Sequence, residues 1–381
     1  MQIFISNVTE KCYQKVAKPL LFMQKPDSVH ERLLIIGTKI QNIRVVQNII
    51  HFSLAYSNNS YLRQKVLGIQ FINPVGLSAG FDKNFELLPL LKSVGFGFME
   101  GGSLTFEPCI GNPKPWFYRL PKTKSLVVNA GLANEGVKTI IKRIMLYPKS
   151  TFDNFPINIS VAKTNSKQAS SETDAIEDYL GSLIQIKKSG VGDIITLNIS
   201  CPNTYGGEPF TSPSRLEHLL KKVDRLHINK PIFIKMPSDL NWTEFDKLLQ
   251  VVIKHQISGL TISNLAKDRG QIKLMDPLPK SVKGNLSGKP TWDLSNNLIK
   301  QTYQKYGDRF IIIGVGGIFS AEDAYTKIKL GASLVELITG IIFEGPQLVG
   351  RINYDLVKLL KKDGYKSVHE AIGSDLIQKI V

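Results

Sequence analysis

Cysteine is scarce in this chain of 381 residues, and its three copies, Cys12, Cys109 and Cys201, lie far apart. The number is odd and no pair has the C-x-x-C spacing, so the pattern argues against a disulfide framework and against a zinc site. Isolated thiols are typical of proteins that stay in a reducing compartment. We therefore expect no structural disulfide and no bound metal.

Long apolar runs are also missing. The longest, near Leu33–Ile36 and Ile49–Ala55, are far shorter than the roughly 20 residues that span a bilayer. The N-terminus lacks the signal-peptide pattern of positive charge, apolar core and small-residue cleavage site. These absences favour a cytoplasmic protein of bacterial type that is soluble or attached only peripherally to the cytoplasmic membrane.

Acidic residues are few relative to basic ones, since 32 stand against 48 and the formal net charge is +16. The basic residues are scattered, and no dense run of them is interleaved with aromatics, which argues against nucleic acid as a partner. Attraction to an anionic membrane surface explains the excess of basic residues at least as well as binding to nucleic acid does. Hydrophobic residues make up 43% of the chain, which is enough for a full core.

From about residue 74, short apolar runs alternate with longer amphipathic segments. Several of the short runs are continuous in Ile, Val and Leu, as is typical of parallel strands buried on both faces. The predicted strands are Val75–Ala79, Phe96–Gly101, Ile157–Val161, Ile194–Ile199, Ile232–Met236, Gly259–Ser263, Phe310–Val315 and Leu334–Ile338. Eight such strands, most of them separated by a helical segment, favour an α/β fold of the closed (β/α)8 TIM barrel type over an open doubly wound sheet.

Residues 1–66 do not share this alternation and predict a small N-terminal helical extension, with the barrel domain spanning 67–381. The predicted helices are Thr9–Phe22, Ser28–Ile43 and Val45–Leu54. Two interpretations stay open, a helical cap packed on the barrel and a platform that contacts membrane lipid. The segment Ser57–Phe71 is predicted to enter the barrel through a hairpin across its floor.

Unusual residues fall at the C-terminal ends of the predicted strands, where the active site of this fold gathers. Asn198 and Asn203 flank Cys201 after the fourth strand, and asparagine in an apolar strand is costly unless it is hydrogen-bonded. Lys235 lies within the fifth strand, where an ammonium group needs an anionic partner. Lys83 follows the first strand and can place a second cation at the barrel mouth.

Glycine-rich turns end the seventh and eighth strands, at Gly314–Gly317 and Thr339–Gly340. Such turns form the usual phosphate site of this fold, because their backbone N–H groups point at the ligand. Ala79 and Gly80 after the first strand leave room for a planar ligand against the backbone. With the amide side chains and the thiol, these features predict a flavin enzyme that oxidises an amide-rich ring.

Seven motifs along the chain carry a family resemblance. They are FINPVGLSAGFDK at 71–83, EGGSLT at 100–105, GNPKPWFYRL at 111–120, NISCPNT at 198–204, NLSGKP at 285–290, IIGVGGI at 312–318 and FEGP at 343–346. Together they resemble the dihydroorotate dehydrogenases over nearly the whole chain. The resemblance implies an FMN enzyme of pyrimidine biosynthesis that oxidises dihydroorotate to orotate.

By position, the resemblance implies three sets of site residues. The residues implied to line FMN are Ala79, Gly80, Ser103, Asn158, Asn198, Lys235, Ser263, Gly288, Gly317, Ile338 and Thr339. Those implied to hold the orotate ring and its carboxylate are Lys83, Asn129, Asn198, Asn203 and Asn264. Cys201 stands where the family keeps its catalytic base, which removes a proton from C5 of dihydroorotate while C6 passes hydride to the flavin. Around Asn129 the chain is one residue shorter than the family pattern.

The segment KPLLFMQKPDSVHERLLII at 18–36 resembles the helical segment of the membrane-associated, quinone-using class of this family. It implies a hydrophobic tunnel and a membrane quinone as the electron acceptor, with His30 and Arg119 at the quinone head. That class has serine where this chain has Cys201, and a tyrosine where it has Ile338. Fumarate or a NAD-linked partner subunit is therefore the alternative acceptor.

Two other functions compete with this interpretation. A tRNA dihydrouridine synthase would also combine FMN with a cysteine, but the RNA-binding extension that it needs is missing from this sequence. An inactive barrel that serves as a membrane-bound scaffold would have no need of Lys83, Cys201 and Lys235 together.

Overall fold

Eight parallel strands close into a barrel in this computed structural model, which describes residues 2–56, 59–270 and 272–376. The strands in chain order are β1 (Gln64–Val66), β2 (Ile69–Phe71), β3 (Val75–Leu77), β4 (Phe98–Leu104), β5 (Phe117–Leu120), β6 (Ser125–Val128), β7 (Ile157–Val161), β8 (Ile194–Asn198), β9 (Ile232–Lys235), β10 (Gly259–Ile262), β11 (Asn285–Leu286), β12 (Ile311–Val315) and β13 (Leu334–Leu337). The barrel consists of β3, β4, β7, β8, β9, β10, β12 and β13, and β13 pairs back onto β3. The predicted (β/α)8 fold is confirmed with all eight strands, although several strand ends differ.

Helices surround the barrel and precede it. They are α1 (Gln2–Cys12), α2 (Lys18–Phe22), α3 (Pro26–Ile40), α4 (Arg44–Leu54), α5 (Leu88–Val94), α6 (Val137–Leu146), α7 (Glu172–Ser189), α8 (Pro213–Asp224), α9 (Trp242–Val252), α10 (Trp292–Tyr306), α11 (Ala321–Lys329), α12 (Thr339–Glu344) and α13 (Leu348–Lys362). Local sequence explains several starts. Asn241 and Glu244 form a capping box at α9, and Ser320 accepts a hydrogen bond from the backbone of Asp323 at α11.

Side chains inside the barrel divide into an apolar lower layer and an upper layer that is polar except for one valine. The lower layer consists of Phe98, Ile194, Phe233, Ile313 and Leu334, which form one buried cluster. Successive side chains on a strand alternate between its faces, so the next inward positions lie two residues further along each strand. They are Glu100, Thr196, Lys235, Val315 and Glu336. The barrel therefore has an apolar floor and presents polar groups toward its C-terminal end.

An antiparallel hairpin of β1 and β2 closes the floor, as predicted. Val66 and Phe71 of the hairpin belong to the lower apolar cluster, and the ring of Phe71 contacts that of Phe98 edge-on at 5.4 Å between centroids. Residues 57 and 58 of the predicted connection lie outside the described residues. A three-stranded sheet of β5, β6 and β11 lies beside the barrel.

The N-terminal helices begin earlier than predicted. Helix α1 starts at Gln2 and continues through a π-helical turn, Tyr13–Ala17, into α2. Pro26 lies between the first two predicted helices and is the first residue of α3, where its missing N–H costs nothing. Helices α1 and α4 pack against α13 of the barrel, which fits the interpretation as a cap. Among the described residues, no helix is long and apolar enough to cross a membrane.

Candidate active site

One cavity of about 630 Å³ extends from the C-terminal ends of the barrel strands to the N-terminal helices. Lys235 and Cys201 line its inner end, and Phe22 and Leu33 line its outer end. The part of the chain predicted as a separate extension therefore forms one wall of the same cavity as the barrel strands. The division into 1–66 and 67–381 stays a prediction.

Asparagine side chains at the inner end are fixed by hydrogen bonds. Asn198 donates from Nδ2 to Ser103 Oγ at 2.9 Å, and Ser103 is bonded in turn to Ser160 at 2.8 Å. Asn264 donates to the backbone oxygen of Ser200 at 2.8 Å and to its hydroxyl at 3.0 Å. These bonds hold the predicted amide groups in one orientation at the cavity wall, which is what recognition of a polar ring requires.

Asn203 and Asn129 depend on two further asparagines that sequence reasoning did not identify. Asn203 donates to the backbone oxygen of Val128 at 3.0 Å and accepts from Asn285 at 2.7 Å. Asn112 donates to Asn129 Oδ1 and to the backbone oxygen of Asn203, both at 3.0 Å. Asn203 lines the cavity, whereas Asn129 lies behind the wall and does not. Both Asn112 and Asn285 belong to the family motifs, and that is the signal that could have identified them.

Lys235 has the anionic partner that its burial required. Its Nζ lies 3.1 Å from Glu100 Oε1 and 3.2 Å from Ser78 Oγ, and both charged side chains are almost fully buried. A second acid, Glu336, is buried in the same layer and lines the cavity. Sequence reasoning predicted the lysine but neither acid, because the pairing joins strands that are far apart in the chain.

The residues predicted to hold a flavin fit such a group. Among the described residues, Ser263 Oγ and Asn158 Nδ2 are buried without a hydrogen-bond partner, and unpaired buried polar atoms are rare unless a ligand or water satisfies them. Gly288 and Gly317 adopt positive φ angles of 76° and 74°. A Cβ on Gly288 would lie 2.3 Å from the backbone oxygen of Lys124, so only glycine fits there.

Most of the predicted flavin residues come together at the cavity. Those that line it are Ala79, Gly80, Ser103, Asn198, Lys235, Ser263, Gly288, Gly317, Ile338 and Thr339. Asn158 lies just below them in the barrel interior, where its Oδ1 accepts a hydrogen bond from Thr196 at 3.0 Å. Thr339 is bonded to Ser287 at 2.8 Å and begins the short helix α12 directly after β13.

Cys201 lines the cavity in the loop after β8. Burial raises the pKa of its thiol to about 11, although a backbone hydrogen bond involving Asn203 and the positive charges of Lys163 and Lys235 oppose that rise. Lys163 itself is buried and donates a hydrogen bond to the backbone oxygen of Tyr205 at 2.7 Å. This bond stabilises the loop that carries the thiol. The thiol is therefore mostly protonated at neutral pH and becomes a better base as the pH rises.

Lys83 lines the cavity between two aromatic rings. Its Nζ lies 5.6 Å from the ring centroid of Trp116 and 5.4 Å from that of Phe117. Burial lowers the pKa of Lys83 to about 8, and the nearby carboxylate of Asp82 only partly opposes this effect. A cation on an aromatic wall with a lowered pKa is suited to an anionic ligand, whose charge would stabilise the ammonium form.

His30 and Arg119 both line the outer part of the cavity. His30 Nε2 lies 2.9 Å from the backbone oxygen of Phe81, and because a carbonyl only accepts, His30 donates from Nε2 and keeps Nδ1 as an acceptor. Burial, aided by the charge of Lys83, lowers the pKa of His30 to about 4, so the ring is neutral. Arg119 donates to the backbone oxygen of Gln24 at 2.7 Å, and its buried Nε has no partner among the described residues.

Known proteins resemble this chain over most of its length. A family model for dihydroorotate dehydrogenase matches residues 61–360. The chain is 36% identical over 327 residues to the dihydroorotate dehydrogenase (quinone) of Nostoc punctiforme, which covers 84% of this chain and 86% of that protein. It is 33% identical over 364 residues to the protein of the same name from Sulfurimonas denitrificans, covering 95% and 99%. The crystal structure of DHODH in complex with ferulenol from Eimeria tenella matches with a TM-score of 0.77 and 26% identity, covering 92% of this chain and 95% of that one.

The barrel, its cavity and these matches together define a flavin-dependent oxidoreductase. The chain belongs to the dihydroorotate dehydrogenase family, because the family model covers most of it and several relatives exceed 30% identity over four fifths of its length or more. The family resemblance predicted from the sequence motifs is confirmed. The roles of the individual site residues stay predictions.

Proposed function

We propose that this protein oxidises dihydroorotate to orotate with FMN in pyrimidine biosynthesis and passes the electrons to a membrane quinone. The observation that carries the proposal is the single cavity, because it joins a polar end with a thiol, a lysine and asparagines to an apolar end between the N-terminal helices. The relatives that match most of the chain bear the name dihydroorotate dehydrogenase (quinone), which supports both half-reactions.

FMN would supply a two-electron acceptor at the barrel mouth. We assign its polar ring edge to Lys235, Asn158 and Ser263, since the last two have unpaired buried polar atoms. We assign its phosphate to the backbone of the turns after β12 and β13, which include Gly317 and Thr339. Backbone N–H groups at such turns are a common binding site for phosphate in this fold.

The substrate end of the cavity combines a cation, amides and a base. Lys83 would pair with the carboxylate of dihydroorotate, and Asn198, Asn203 and Asn264 would bond its ring amides. Cys201 would take the proton from C5. Lys163 would stabilise the thiolate and hold its loop in place, because its ammonium group is anchored on Tyr205. We assign Asn129 an indirect role, since its side chain lies behind Asn203 and not in the cavity.

The outer end of the cavity suits a quinone head. The unpaired Nε of Arg119 can donate to a quinone oxygen, and the neutral ring of His30 can accept from a quinol hydroxyl through Nδ1. The walls around them are apolar, with Phe22, Leu33 and Val29. Residues 1–66 would thus be the quinone-associated segment and 67–381 the catalytic barrel.

The same helices would attach the protein to the cytoplasmic face of the membrane. Large apolar side chains are exposed on these helices and directly after them, among them Leu20 on α2 at 58% and Met23 at its C-terminal end at 84%. Lysines and arginines occur on the same segments, and the chain as a whole carries a net charge of +16. Exposed apolar groups flanked by basic ones are typical of helices that lie in the interface of an anionic membrane.

Anaerobic mixing tests this proposal. Dihydroorotate should bleach the yellow colour of the bound flavin, and a quinone should restore it while fumarate and NAD+ do not. If only fumarate or NAD+ restores the yellow colour, the electron acceptor is not a quinone but the alternative acceptor that Cys201 and Ile338 suggest. Absence of bleaching would contradict the assignment of dihydroorotate itself.

A further inference from the structure

Glu336 is a buried acid for which the proposed reaction has no use. Its side chain is fully buried in the upper layer of the barrel interior. Neither of its carboxylate oxygens accepts a hydrogen bond of ordinary geometry among the described residues, although the side chains of Glu100 and Ser78 lie close enough to interact with it. It lines the cavity beside Lys235. An ionised carboxylate in such a position would be strongly destabilising, whereas a protonated one can donate a hydrogen bond.

The charges around Glu336 do not balance if both acids are ionised. In the strand register, β3 and β12 place Gly76 and Val315 beside it, so its nearest strand neighbours carry no charge. Glu100 and Lys235 act on it from across the barrel interior, and Lys235 already pairs with Glu100 Oε1 at 3.1 Å. Two carboxylates and one ammonium would leave a net charge of −1 in a nearly dry space.

A shared proton removes this imbalance. The second oxygen of Glu100, Oε2, is also buried without a partner, so it is free to accept from a protonated neighbour. Burial raises the pKa of Glu336 well above its ordinary value, and the negative charge of Glu100 raises it further, while Lys235 opposes the rise. Ser78, which also accepts from Lys235 at 3.2 Å, is the neutral polar neighbour in this cluster.

We propose that Glu336 and Glu100 share one proton beneath Lys235, and that this proton sets how easily the bound flavin is reduced. The proposal rests on the proposed function only for the identity of the flavin. With the proton in place the cluster is neutral, and the charge of Lys235 can stabilise the negative charge of reduced flavin. Loss of the proton gives the cluster a net charge of −1, and this charge disfavours reduction of the flavin. Glu336 would act through Lys235 as a positioning residue.

Replacement of Glu336 by glutamine provides the test, because Glu336→Gln keeps the shape and neutrality of the protonated acid. We expect the flavin midpoint potential of wild type and variant to agree at low pH. As the pH rises above the pKa of Glu336, the wild-type potential should fall more steeply than that of Glu336→Gln. The exposed Glu322, outside the cavity, offers the matched control Glu322→Gln, which should follow wild type at every pH. Parallel curves for wild type and Glu336→Gln would overturn the proposal.

Unfolding in urea gives a second measurement that does not depend on flavin. The folded protein holds the Glu336 proton more tightly than the unfolded chain, so wild-type stability relative to Glu336→Gln should fall as the pH rises from about 4.5. If the difference in unfolding free energy between wild type and Glu336→Gln is the same at low and high pH, the proposal of a shared proton is wrong. In Glu100→Gln, Glu336 is the only acid of this cluster beside Lys235. The flavin midpoint potential of this variant should therefore also depend less on pH than that of wild type. A protein purified without flavin would contradict the proposed function, and the urea comparison would still decide the protonation of Glu336.

Discussion

The two ends of the cavity are built on opposite principles. At the inner end, strand termini place polar side chains whose hydrogen bonds are made within the protein, such as Asn198 to Ser103 and Asn264 to Ser200. At the outer end, helices present apolar side chains around only a few polar atoms, such as Arg119 Nε. The inner end can therefore recognise a polar ring through oriented amides, whereas the outer end suits a ligand that is bound mainly by apolar contact.

Removal of the Cys201 thiol should have the largest effect on activity, and it should slow only the half-reaction at the inner end of the cavity. Cys201→Ala is expected to slow flavin reduction by dihydroorotate by about 10² to 10⁴, the usual contribution of a general base. The wild-type rate should rise with pH, because the thiol pKa is raised to about 11 and the thiolate is the active form. Stopped-flow absorbance measures the rate, and reoxidation of chemically reduced flavin by quinone provides the control. An unchanged rate in Cys201→Ala would exclude the thiol as the base.

Loss of the cavity lysine should weaken substrate binding next. Lys83→Met is expected to lower the affinity for orotate by roughly 10- to 100-fold, because a charged hydrogen bond contributes about 1.5 to 3 kcal/mol. In the wild type, the affinity should fall as the pH rises above about 8, where free Lys83 loses its proton, and Lys83→Met should lack this dependence. Titration of the flavin spectrum with orotate measures both. The same pH dependence in the variant would assign it to another group.

Arg119 tests the outer end. Arg119→Met is expected to raise the KM for quinone about tenfold, since it removes one charged donor to a quinone oxygen. Flavin reduction by dihydroorotate should stay unchanged, because Arg119 lines the outer part of the cavity near Phe22. Steady-state kinetics at saturating dihydroorotate measures the change. A slower reduction step would show that the two ends are not separate.

The exposed apolar surface should give the smallest effect. Met23→Ser and Leu20→Ser are expected to weaken binding to anionic vesicles a few-fold each, because each removes part of the apolar area available for insertion. Vesicle sedimentation measures the binding, and Met145→Ser, at an exposed methionine on α6, provides the matched control. Equal binding by all three variants would place the membrane contact elsewhere on the surface.

The barrel could be predicted from sequence because its signals are local. Continuous Ile, Val and Leu runs identify buried parallel strands, and the glycine-rich turns after β12 and β13 identify the phosphate end. The start of α1 was missed, since Ser6, Asn7 and Thr9 have low helix propensity and the continuity through Tyr13–Ala17 depends on contacts with the barrel.

The site was less predictable where it depends on contacts between distant strands. Lys235 was identified because a lysine in a buried strand is unusual, but its partner Glu100 lies 135 positions away in sequence, and that pairing follows only from barrel closure. Asn112 was missed for the same reason, since it contacts Asn129 and Asn203 across separate loops. Local pattern thus identifies single unusual residues, while the hydrogen-bond networks around them require the fold.

If one cavity serves both half-reactions, a substitution that fills only its outer end should separate them. Ala17 lines the cavity, whereas the neighbouring Val16 is 59% exposed and does not. We expect Ala17→Phe to abolish flavin reoxidation by quinone while leaving flavin reduction by dihydroorotate unchanged, and Val16→Phe to affect neither. Undiminished reoxidation by quinone in Ala17→Phe would show that the cavity is not shared, because the acceptor would then reach the flavin by another route.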